Sequence, residues 1–393
     1  MSTVYRTGIA GAVLVAAALC GGDLRAAPFR PATDDVVVER LPAATSSRTR
    51  GAMPPVQGPE LHHRVRELIR HARDTGDPRW LGRADALLRA APPVMAQSTE
   101  GLLLQATIDQ SLHRFDPALR RLDEVLRRQP LHAQARLTRA TVLQVRGRLE
   151  EAARDCALLG RSAPPLVATT CSAGVASLQG RGAAAYRALE QALRTHVLEP
   201  APVVAWSRTV LAGIAERTGQ PRVAARNYLA ALALDPDDAF ARAAFADLLL
   251  DTGDAQRALR LSAARRDNDA LLLREALALD RLADPRRTAA VSELAARFAL
   301  ARRRGETLHL REEARFELQL RGNAALALDL ARRNWRVQRE PADARILLEA
   351  ARAAGDREQE AIARGWLRAA GIVLNDARAT ASGTIVRLAE TRS

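Results

Sequence analysis

Seven histidines, His62, His63, His71, His113, His132, His196 and His309, are the first residues to test for metal binding or proton transfer. His63 and His71 stand eight residues apart. That is two turns along one helical face, too far for both to close on one ion. No HExxH, CxxC, GxSxG or phosphate-cradling GxxxxGKS/T pattern occurs. Each histidine therefore reads as a helix cap or a surface residue, and neither a metal nor a cofactor is expected. Carboxylates are abundant but lie among arginines at helical spacing, as in Arg64, Arg66, Glu67 and Arg70, or Arg311, Glu312, Glu313 and Arg315. Such spacing predicts solvated helix faces with i,i+4 partners, not a desolvated acid/base pair. No catalytic residue is expected, and the chain reads as a non-enzyme. Cys156 and Cys171 flank Pro164-Pro165 at nearly equal distances. On antiparallel helices they would stand at the same height. Two readings follow, a disulfide in an oxidising compartment or two buried thiols serving as small apolar fillers.

The elements that would carry these residues are helices. The apolar content, 48%, comes from Ala and Leu, while aromatics make up only 3%. Ala, Leu, Arg and Glu are strong helix formers, and small side chains let helix axes approach closely. The net charge is +14, and every basic residue is Arg. Because this charge is interspersed with acids and not interleaved with aromatics, it reads as ordinary surface and no nucleic-acid partner is expected.

The N-terminus has the layout of an export signal. Arg6 precedes an apolar run from Ile9 to Leu19, too short to span a bilayer, and small residues lead to Ala26. Residues 1–26 are read as a signal peptide cleaved before Ala27. That places the mature chain in the periplasm or outside the cell. Acylation at Cys20 is the competing reading, weakened by Leu19 just before it. Residues 27–59 are read as a flexible segment, 60–371 as a helical repeat domain and 372–393 as a C-terminal tail. No later apolar stretch is long enough to cross a membrane.

Internal periodicity sets the fold expectation. Pro130 and Pro164 are 34 residues apart, as are Ala106 and Ala140, and Ala118 and Ala152. The segment 205–236 shows the same landmarks: Ala212 and Ala224 as small positions, Gly219 as the turn, then Tyr228, Ala231 and Pro236. The next segment has Ala246, Gly253 and Ala258. These landmarks resemble the tetratricopeptide repeat over roughly residues 60–370. The resemblance implies an all-α, right-handed superhelical solenoid of eight or nine antiparallel helix pairs. The stretches 180–205 and 283–305 depart from the period.

The resemblance also implies a concave groove lined by the leading helix of each pair. Carried over residue by residue, its inward positions are Gln110, Gln144, Trp206, Glu216, Arg217, Asp247 and Asp251. Trp206 has a second reading as core. The family's two-carboxylate clamp of Lys, Asn and Arg is missing, since the chain has no Lys. The implied partners are other proteins or peptides, bound by an envelope scaffold. Alternatives are a subunit of an export or polysaccharide-secretion machine, or an enzyme with an unrecognised site in 283–305.

Overall fold

The computed structural model describes residues 59–372, all within one compact unit. The expected signal peptide, Cys20, the segment before Pro59 and the tail after Ile372 lie outside the described residues. Among the described residues there are 19 α-helices and no strand. Eighteen form nine antiparallel pairs, each a leading helix followed by a trailing one. The pairs are α1 (Pro59–Thr75) with α2 (Arg79–Ala90), α4 (Thr99–Ser111) with α5 (Phe115–Arg128), α6 (Ala133–Val145) with α7 (Leu149–Leu159), and α8 (Pro165–Leu178) with α9 (Gly182–Thr195). They continue as α10 (Ala201–Arg217) with α11 (Pro221–Leu234), α12 (Ala239–Asp251) with α13 (Ala255–Ser262), and α14 (Asp269–Arg281) with α15 (Arg287–Arg303). The last are α16 (Leu310–Gln319) with α17 (Ala324–Val337) and α18 (Pro341–Ala354) with α19 (Arg357–Ala369). A single turn, α3 (Pro93–Ala96), fills the first linker. The first helix starts at Pro59, one residue before the expected boundary.

The 34-residue landmarks mark the closest helix crossings. Ala106, Ala118, Ala140, Ala152, Ala212, Ala224, Ala246 and Ala258 are all buried, because any larger side chain would push the two axes apart. Within most pairs the chain reverses at a glycine with positive φ, namely Gly76, Gly147, Gly180, Gly219, Gly253, Gly322 or Gly355. That conformation costs a residue with a Cβ. His113 (φ 54°) and Ala283 (φ 50°) hold the same place in the second and seventh pairs. Leading helices start at side-chain caps where the sequence supplies them: Ser98, His132, Asp238 and Asn268 each accept a backbone N–H of the first turn.

The two irregular stretches are variations on the same pair. After α9 the linker to α10 carries Val197 and Leu198 in solvent. The stretch 283–305 is the trailing helix α15, which buries Ala290, Leu294 and Phe298 on one face.

The array also meets itself. The α1–α2 turn packs on the linker before α14: the Arg265 guanidinium donates to the Asp74 carbonyl, and Asn268 leaves no room for a Cβ at Gly76. In the α4–α5 turn, His113 Nδ1 lies 2.7 Å from the Gln338 side-chain amide. In the third pair the Arg339 N–H donates to the Val145 carbonyl at 2.7 Å. In the fourth, a Cβ on Gly371 would lie 3.3 Å from the Gly180 backbone.

Candidate functional site

Cys156 near the end of α7 and Cys171 in α8 are joined by a disulfide, with Cα atoms 5.4 Å apart. The antiparallel reversal at Pro164-Pro165 brings them level, as their spacing from the turn requires. The bond ties the third pair to the fourth.

The leading helices divide into two chemically different zones. In the N-terminal zone, an open hollow of about 310 Å³ lies among the first turns of α6, α8 and α10. Leu137, Val167, Val203 and Trp206 make its apolar wall, and Gln134 is its one polar residue besides backbone. Trp206 is half-buried and borders this open hollow. Gln144 is half-buried on α6 with its Oε1 beside Gly174, and Gln110 is half-buried on α4.

In the C-terminal zone the same face is filled by charge. Asp247 of α12 receives the Arg274 guanidinium at 2.6 Å and that of Arg315 at 2.5 Å. Burial opposes ionisation of Asp247, but the two guanidiniums outweigh it and hold the carboxyl well below the usual range. Asp251 pairs with Arg345 of α18, three pairs further on. Glu216 accepts a hydrogen bond from the Tyr228 hydroxyl at 3.2 Å. Burial, reinforced by Asp247, pushes the Glu216 carboxyl up. Arg217 donates to Ser177 Oγ at 2.7 Å, and burial pulls its guanidinium down.

Arg311 stands among three carboxylates, 3.2 Å from Glu312 and 3.3 Å from both Glu340 and Asp343. Burial opposes ionisation of Glu312 too, yet Arg311 and Arg274 bring it down to about 2. Glu340 and Asp343 share what remains of Arg311, and burial pushes both up. Asn334 donates to Asp343 at 2.8 Å, and Asp343 accepts the Glu340 N–H, closing a capping box on α18.

This arrangement corrects two expectations. Arg311, Glu312, Glu313 and Arg315 are not a solvated face: both glutamates are buried, because a leading helix turns its polar side into the array as well as its apolar side. Nor are all histidines caps or surface groups. His132 caps α6, but His62 is buried and His113 is enclosed in a seam. Sequence reasoning missed Arg274 and Glu275, although one signal was present. They interrupt the run Leu271–Leu279, in which every residue is buried. A helix apolar on all sides is enclosed, and so are the charges within it. Among the described residues no group of three or more His, Cys, Asp or Glu is placed to hold a metal ion, and no helix is long and apolar enough to cross a membrane.

No protein-family model matches the chain, and no curated protein does. Among solved structures it is similar to a tetratricopeptide repeat protein from Parabacteroides merdae, at 15% identity and a TM-score of 0.35, over 78% of this chain and 99% of that one. It is also similar to the Cut9–Hcn1 hetero-tetramer of the APC/C, at 12% identity and 0.47, over 74% of this chain and 59% of that one. A third is the human IFIT1 dimer with PPP-AAAA, at 14% and 0.40, over 66% and 69%. At these scores the neighbours add no functional argument. The fold rests on the nine pairs, their buried small positions and their left-handed turns.

Proposed function

We propose that this tetratricopeptide-repeat array is a protein-binding scaffold that seats an apolar stretch of a partner polypeptide against Trp206. The observation that carries this reading is the hollow among α6, α8 and α10. Its apolar wall is left open, whereas the charges of the C-terminal zone are met by one another. A partner's aliphatic side chain entering the hollow would remove both surfaces from water, at about 25 cal/mol per Å². Glu216, Arg217, Asp247 and Asp251 then act as the rigid polar continuation of the groove, and Gln110 and Gln144 as its polar rim. The scaffold works outside the cytoplasm, in the cell envelope. The disulfide supports this, as does the short apolar run after Arg6.

A photo-crosslinking residue placed at Val203 in cells should yield protein adducts that the same residue at exposed Arg187, on the outer helix α9, does not. Equal labelling at both positions would refute the site. Mass spectrometry of the native protein should find a mature N-terminus at Ala27, and an intact Met1 would refute export.

A further inference from the structure

The array has two edges. One carries the turns within pairs and the other the linkers between pairs. Inside the molecule these edges are already a docking interface. The turns of pairs one to four rest on the linkers before α14 and α18 and on the chain just after α19. Among the described residues this leaves each edge uncapped at one end: the linkers between the first six pairs, and the turns of pairs five to nine.

The uncapped linkers differ in chemistry from the covered ones. The covered ones present Arg265, Asn268, Gln338 and Arg339 to the turns above them. The uncapped ones carry Val94, Leu131, Val197, Leu198 and Phe240 in solvent, with Leu198 97% and Val197 74% exposed. Four of the five uncapped linkers, or the first turn just after them, show an apolar side chain of this kind. Single exposed apolar residues are common, but their recurrence along one edge marks an interaction surface. At the other end, the α14–α15 turn offers Leu282, more than a third exposed, beside Ala283 and Pro285.

We propose that the chain stacks head to tail on a second copy of itself, the uncapped linker edge of one copy receiving the uncapped turn edge of the next. The contact continues between molecules the turn-on-linker packing that closes the array within one. It is heterologous, so it leaves a free edge at each end and permits growth beyond a dimer. The linker edge borders the Trp206 hollow, whose Ala163 and Pro164 lie in one of these linkers, but the stacking needs no partner in that hollow and is tested on the purified chain alone.

Sedimentation velocity over a wide concentration range tests this on the full mature chain. The wild type should form a concentration-dependent series extending past the dimer. Two variants keep the fold, checked by circular dichroism: Leu198→Asp with Phe240→Asp on the linker edge, and Leu282→Asp on the turn edge. Each alone should remain monomeric. Mixed together they should give a 1:1 dimer and nothing larger, since one intact junction remains. A wild type that is monomeric throughout would overturn the proposal. So would a series that stops at a dimer, variants that associate like the wild type, or a mixture that stays monomeric.

Discussion

His113 gives the array a pH-dependent seam. Its imidazole accepts from the Gln338 amide at 2.7 Å and stacks on Phe115. Burial first, then the nearby charges of Arg311 and His309 against that of Glu312, hold its pKa down to about 4. In the unfolded chain the same group titrates near 6.5. Between those values the unfolded state binds the extra proton and the folded state does not. Stability therefore falls as pH drops from about 6.5 towards 4, and is unaffected by this group above that window. At pH ~4.5 the loss comes to about 2.5 kcal/mol. His113→Asn removes the titration, keeps an acceptor for Gln338 and tolerates the left-handed φ of 54°. Urea unfolding of both proteins at neutral and acid pH should show the wild type losing about 2.5 kcal/mol more than the variant on acidification to pH ~4.5. Parallel pH profiles for the two proteins would refute the assignment.

Ala224→Leu should destabilise by about 1–3 kcal/mol, read by chemical denaturation, because Ala224 is fully buried at a helix crossing. Asp247→Ala strips the shared partner from Arg274 and Arg315, and should cost about 3 kcal/mol in the same assay. Reducing the Cys156–Cys171 bond reopens a 15-residue separation and should cost about 3 kcal/mol. Non-reducing peptide mapping should recover the two cysteine peptides linked, and two alkylatable thiols in the native protein would contradict it.

Much of the architecture was legible because the repeat is a local object. Ala140 and Ala152 face each other across one pair, Gly147 reverses the chain between them, and all three lie within one short segment. Their spacing alone specifies helix, turn and helix. The level placement of Cys156 and Cys171 was readable for the same reason, since one turn separates them. The seams were not legible. Nothing local says that Gln338 meets His113 or that Arg345 meets Asp251, because those meetings depend on a small rotation per pair accumulated over several pairs. The charged face of α16 was misread on the same ground. Arginine and glutamate at helical spacing look alike whether the face opens to water or onto α12, α14 and α18. The sequence by itself determined the helix pairs and their turns, and the resemblance alone named the leading-helix positions expected to line a groove. Only the tertiary structure decided which part of that lining stays open at Trp206 and which closes on its own charges, because that depends on how far the array curls before its later pairs reach its earlier ones.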